Sequence, residues 1–187
     1  MNKAVYGVLS RVFAIVLIAV GAVAIFAGNF AHGFVTDQLS QERITMPGEA
    51  GIDALSDTKS QEILRQWIDE PLTTGPQARA FADNYIYQHM QASSEGRTYE
   101  EVSGEYTKMS KDENADPDEL AKLGQLRQTL FMGSPLRGML LNAYGWWLVG
   151  SIGIYVGIGA IAGGVVLAGL GWGPLRTKKG ESAKAAA

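Results

Sequence analysis

The sequence predicts an all-α membrane protein, with two transmembrane helices and a small helical extracytoplasmic domain inserted between them. Three observations carry that expectation. No formally charged residue lies between Arg11 and Asp37, and none lies between Arg137 and Arg176. The mean hydropathy of +0.02 over 187 residues therefore averages two apolar blocks and one polar block. The charge is also segregated by sign. Positions 37–137 hold 18 acidic and 10 basic residues, a net of −8, whereas the ends carry Lys3, Arg11, Arg176, Lys178, Lys179 and Lys184 against Glu181, a net of +5. Basic residues on the outer flanks of both apolar blocks follow the positive-inside pattern, so both termini are expected in the cytoplasm.

The expected division is a cytoplasmic N-terminus at 1–11, a first span at 12–34, an acidic helical extracytoplasmic domain at 35–137, an outward helix extension and second span at 138–173, and a basic cytoplasmic tail at 174–187. The first apolar run, 12–31, is 20 residues of Val, Ile, Leu, Phe, Ala, Gly and Asn. At 1.5 Å per residue it reaches roughly 30 Å, the thickness of the hydrocarbon core. Lys3 and Arg11 ahead of Ala22-Val23-Ala24 also resemble a signal peptide with its cleavage site. The apolar run is longer than an h-region of about 7–15 residues and continues through Ile25 and Phe26, which favours a retained anchor.

Aromatic residues place the second span. Trp146 and Trp147 stand at one end and Trp172 at the other, as membrane-interface belts do. Ser134 as N-cap with Pro135 at the first helical position marks a helix start, and Gly133 suits the end of the helix before it. Small residues follow one helical face: Gly153, Gly157, Ala160, Gly164, Ala168 and Gly171 in the second span, and Ala14, Gly21, Ala24, Gly28 and Ala31 in the first. Such faces let backbones approach closely, so these residues are expected to pack helices against each other or against another membrane protein. Gly159 and Gly163 lie on a second face. Membrane lipids are the remaining expected partner.

Between the spans, helix signals recur. An apolar stripe of Ile63, Leu64, Trp67 and Ile68 predicts a helix over 58–69, stopped by Pro71. Thr74 or Gly75 followed by Pro76 opens a second, with Ala78, Phe81, Ala82, Tyr85, Ile86, His89 and Met90 at three- and four-residue steps, closed by Gly96. Thr98 with Glu101 forms a capping box for a third. Asp116, Pro117 and Glu119 open a fourth, which carries Leu120, Leu123, Leu126, Leu130 and Phe131.

Several kinds of chemistry are excluded or disfavoured. There is no cysteine, so neither disulfides nor thiolate metal sites are available, and two histidines are too few for a histidine-rich centre. Asp112, Asn114, Asp116 and Asp118 alternate as in a calcium loop, but Pro117 stands where glycine is needed and Leu123 where a bidentate glutamate is needed. No phosphate loop, nucleophile elbow or zinc-protease motif occurs. His89 sits on an apolar helix face, which favours a packing role over a general base or pH sensor. The expectation is no catalytic, metal or cofactor site, and the acidic balance argues against nucleic acid as a partner.

Two stretches carry a family resemblance. They are Pro76-Gln77-Ala78-Arg79-Ala80-Phe81-Ala82 with Thr98-Tyr99-Glu100-Glu101-Val102-Ser103, and the segment from Thr129-Leu130-Phe131-Met132-Gly133 through Leu136-Arg137-Gly138-Met139-Leu140-Leu141-Asn142-Ala143-Tyr144-Gly145-Trp146. Together they resemble a family of actinobacterial two-span membrane proteins of unknown function, some of them labelled aromatic ring-opening dioxygenases. The resemblance implies a Gram-positive plasma membrane and brings no catalytic motif; an iron-dependent dioxygenase needs histidine ligands that this chain lacks. The expected role is a non-catalytic accessory subunit or scaffold of a plasma-membrane complex, a respiratory supercomplex being one possible home. The alternative is an envelope sensor or ligand-binding protein, for which a pocket lined by Trp67, Tyr85, Tyr99 and Tyr106 would speak.

Overall fold

A computed structural model describes residues 2–173, and every regular element among them is helical. The tail expected at 174–187 lies outside the described residues. The helices are α1 (Asn2–Glu42), α2 (Glu49–Asp53), α3 (Thr58–Leu64), α4 (Gly75–Phe81), α5 (Tyr87–Ser94), α6 (Tyr99–Met109) and α7 (Pro117–Trp172). A 3₁₀ turn, Arg65–Trp67, extends α3, and a π-helical turn, Ala82–Ile86, joins α4 to α5. The chain divides into two compact units, Met1–Gly33 with Val149–Ala187, and Phe34–Leu148.

The first unit is an antiparallel helix pair. Its buried seam follows a strict seven-residue step on both sides: Gly7, Ala14, Gly21 and Gly28 on α1, and Gly150, Gly157, Gly164 and Gly171 on α7. A Cβ built on Gly28 would lie 2.5 Å from the carbonyl oxygen of Gly150, and one on Gly164 would lie 3.0 Å from that of Ala14. Only hydrogen fits at the paired glycines, so the backbones approach to a distance at which Cα–H groups meet carbonyl oxygens. Isoleucines close over the seam, Ile154 and Ile161 over Gly28 and Gly21, and Ile18 and Ile25 over Gly164 and Gly157. A strict heptad is the period at which two helices stay in register by supercoiling. Polar groups hold the rest. The Ser10 hydroxyl donates to the Leu167 carbonyl (2.8 Å), Arg11 Nε donates to that of Gly171 (2.9 Å), and His32 Nε2 lies 3.0 Å from Ser151 Oγ.

The second unit, residues 34–148, is built around Met46, Ile52, Leu64 and Leu72, each almost fully buried, with Val35, Leu39 and Leu140 beside them. Two backbone bonds clamp the chain where it leaves α1 to the chain that follows the 3₁₀ turn. The Met46 amide donates to the Glu70 carbonyl and the Leu72 amide to that of Ile44, each at 2.8 Å. Both clamped residues point into the core, so backbone pairing and apolar burial fix the same register. Caps define the short helices. Asp57 accepts from the Ser60 amide ahead of α3, and reciprocal boxes open α4 (Thr74 with Gln77) and α6 (Thr98 with Glu101).

The expected helix starts at 58, 74 or 75, 98 and 116 or 117 match these elements, although the first passes into the 3₁₀ turn after Leu64 and ends by Trp67. Glu95, with φ of 56°, takes the left-handed cap of α5 just before Gly96, whose φ is 85°. One expectation is corrected. Gly133, Ser134 and Pro135 do not separate two helices, because α7 runs unbroken from Pro117 to Trp172 with Pro135 inside it. Proline removes an amide and crowds the preceding turn, which signals a boundary locally, but α7 is held by buried Leu130 and Leu140 on either side of it. Gly133 has a packing role instead: a Cβ there would fall 2.7 Å from Met90 Sδ. The first apolar helix is longer than the span expected at 12–34: α1 continues to Glu42, where Arg43, with φ of 51°, terminates it.

Candidate functional site

The segment Gly75–Ser94 reads as one helix interrupted by the π-helical turn, and its outer face forms the wall of an open polar cleft. π-turns widen a helix by one residue and recur at functional sites. This one carries Asp83 and Asn84. With Arg79, Tyr87 and Gln88 from the same run they face Ser60, Ile63 and Trp67 from α3 and its extension, and Arg137 and Tyr144 from α7, around a volume of about 790 Å³. That size suits a small molecule.

One carboxylate lies between two guanidinium groups. Arg137 Nη2 donates to Asp83 Oδ1 at 2.9 Å, while Arg79 Nε stands 3.8 Å from Asp83 Oδ2. Each arginine also lies over a tyrosine ring, Arg79 over Tyr144 at 5.0 Å and Arg137 over Tyr87 at 4.7 Å. Arg79 Nη1 donates to the Tyr144 hydroxyl (3.1 Å), and the buried Nε of Arg137 has no hydrogen-bond acceptor. At the floor the buried Ser60 hydroxyl donates to Asp57 Oδ2 at 2.5 Å, with Asn84 Oδ1 at 3.1 Å, and accepts from Gln88 Nε2 at 3.3 Å. The bonds from Ser60 hold the Asp57 carboxyl below its ordinary pKa of 3.8. Asp57 is therefore a committed anion at neutral pH, occupied by the cap it forms.

Charge concentrates here against the trend of the unit. Three of the ten basic residues between 37 and 137 line the cleft (Lys59, Arg79 and Arg137), against two of the eighteen acidic ones (Asp57 and Asp83). A locally positive cleft in an acidic unit focuses the field on anions that enter it.

The aromatic residues named from sequence do not gather in one pocket. Trp67 lines the polar cleft, Tyr99 and Tyr106 line a separate hollow of about 250 Å³ with Arg127, and Tyr85 stacks between Phe81 and His89. His89 Nδ1 lies 2.8 Å from the Tyr85 carbonyl oxygen. Asp112 and Asp116 each accept from a backbone amide two residues on, as loop and cap residues do.

The small-residue stripes of α1 and α7 meet each other. Gly21 faces Gly157, Gly28 faces Gly150, and a Cβ on Gly153 would sit 3.3 Å from the Ala24 carbonyl oxygen, while Ala160 and Ala168 are half-buried. Among the three tryptophans, Trp172 is half exposed with Arg11 5.5 Å from its ring. Trp147 packs on the core of the second unit, directly against Gly75. Trp146 is exposed and borders an apolar groove of about 260 Å³ with Phe34, Leu39 and Met139.

The cleft is not legible in the sequence because its residues come from three separated segments. The π-turn has no sequence signature, and Arg79, Asp83 and Arg137 look individually like ordinary surface charges. The glycine seam had a readable signal, the seven-residue recurrence that includes Gly7 and Gly150. Compared with protein-family models, with characterised proteins and with solved structures, the chain gives no significant match.

Proposed function

We propose that the chain is a non-catalytic, membrane-anchored ligand-binding protein, with the α1/α7 glycine pair as its anchor and the polar cleft of residues 34–148 as its binding site outside the cytoplasm. The observation that carries this reading is the arrangement of Arg79, Asp83 and Arg137 around an open cleft beside a π-helical turn. Membrane anchoring is supported by two helices long and apolar enough to cross a bilayer, whose most apolar windows are only 17% and 11% buried. Their side chains, Phe26, Phe30, Tyr155 and Val166 among them, are exposed, as those of a lipid-facing helix are and those of a core helix are not. A binding role is favoured over catalysis because the carboxylates with perturbed pKa, Asp57 and Glu101, are both held in helix caps. The accessory-subunit reading leaned on the small-residue faces, and those faces fill each other.

The plasma membrane and cytoplasmic termini complete the proposal, in line with the resemblance to actinobacterial two-span proteins. The absence of cysteine makes orientation simple to test. In intact cells an impermeant maleimide should label Glu113→Cys, whereas Lys3→Cys should react only after permeabilisation. The reverse pattern would invert the topology. For the binding role, the full chain in nanodiscs should retain a compound from a small-molecule cell extract that an Asn84→Leu/Gln88→Leu variant, with its cleft filled, loses. Equal retention by both proteins would overturn the site.

A further inference from the structure

We infer that the ligand of this cleft is a small organic anion, a carboxylate or phosphate ester with a flat apolar body, an inference that rests on the binding reading above and narrows it. The first ground is the charge balance. Three cations, Lys59, Arg79 and Arg137, line the cleft against two carboxylates; Asp57 keeps its charge but is engaged by the Ser60 amide and hydroxyl, and Asp83 is the carboxylate that meets the arginines. The second is the geometry of Arg79. Among the described residues its one hydrogen bond goes through Nη1 to a neutral phenol, its approach to Asp83 is 3.8 Å, and its side chain is 58% exposed. A guanidinium held beside the Tyr144 ring, with one nitrogen bonded to the hydroxyl, keeps further N–H groups that match the oxygens of a carboxylate or phosphate. The third is the composition of the lining, where Ile63 and Trp67, from α3 and its extension, offer an apolar face to the body of the ligand across from the wall that carries Arg79.

Asp83 then acts as an internal competitor. It holds Arg137 and partly satisfies Arg79, so an entering anion shares the two guanidinium groups with it. Its removal has the opposite effect on binding to the removal of Arg79.

The test uses the full chain in nanodiscs of zwitterionic lipid, titrated calorimetrically with benzoate, phenyl phosphate and the neutral benzyl alcohol, with empty discs as blank. The expected result is binding of one or both anions and not of the alcohol, with affinity falling as ionic strength rises. Arg79→Gln should weaken binding on the order of tenfold, the size of one lost charge-assisted hydrogen bond, Lys59→Gln less, and Asp83→Asn should tighten it. Benzoate and phenyl phosphate separate the carboxylate from the phosphate preference. Benzyl alcohol binding as well as benzoate, with Arg79→Gln unchanged, would overturn the anion class and leave the binding reading standing. No binding of any probe would overturn both.

Discussion

Gly21 and Gly157 meet so closely that a Cβ on Gly21 would lie 2.7 Å from the Gly157 carbonyl oxygen, and one on Gly157 would lie 2.6 Å from that of Gly21. Neither contact can relax by moving a side chain, since both partners are backbone. Gly21→Leu or Gly157→Leu should therefore force the helices apart, at a cost of about 1–3 kcal/mol or more. Gly159 has nothing within 4 Å of its would-be Cβ, so Gly159→Leu should leave the thermal midpoint nearly unchanged. Thermal unfolding in detergent compares the three variants; equal midpoints would refute the seam.

Gly75 and Gly133 test the same logic in the second unit. A Cβ on Gly75 would fall 2.3 Å from Trp147 Cβ, whereas one on Gly133 meets the flexible Met90 at 2.7 Å from its sulfur. Gly75→Ala should cost about 1–3 kcal/mol. At Gly133, about 1 kcal/mol of helix propensity gained offsets the displacement of Met90, so Gly133→Ala should stay near neutral. Chemical unfolding followed by tryptophan fluorescence should place Gly75→Ala well below Gly133→Ala, and the reverse order would count against the packing described.

Leu64 is fully buried at the centre of the second unit. Its truncation to alanine removes three carbons from a site ringed by other core side chains and should cost about 2–5 kcal/mol. A loss under about 1 kcal/mol would mean that the unit lacks a packed core.

Caps make stability depend on acid. The Ser60 bonds hold Asp57 below its ordinary value of 3.8, and the Thr98 amide and hydroxyl hold Glu101 below 4.5. A lowered folded pKa means that the unfolded chain binds the proton more readily. The stabilisation is thus fully present above the ordinary values and lost as pH falls through the lower folded ones. The midpoint should be flat from neutrality to about pH 5 and decline below about pH 4. Asp57→Asn with Glu101→Gln should shrink that decline. Thr98→Ala should cost about 1 kcal/mol at neutral pH.

Local signals were legible where a few neighbouring residues decide the outcome. Thr98 and Glu101 name their own box, Thr74 and Pro76 open α4, and the charge gaps locate the two apolar helices. Pro135 misled because a local rule was applied to a helix whose continuity is set elsewhere: Leu130 and Leu140 are buried on either side of it. The Ile44–Leu72 clamp pairs residues more than twenty positions apart, and periodicity is blind to it. The cleft was least legible of all: Arg79 and Asp83 are four residues apart on one helical run, but Arg137 is brought to Asp83 by tertiary packing across 54 residues.

The seam between α1 and α7 also has an order of synthesis. Gly28 and Gly150 are about 120 residues apart in the chain, which at about 5–20 residues per second separates their emergence from the ribosome by roughly 6–24 s. Throughout that interval α1 exists with an open furrow that only another glycine-faced helix fits. Until α7 follows, the glycines of that furrow meet no helix of their own chain, so the last stretch to be made completes the packing of the first.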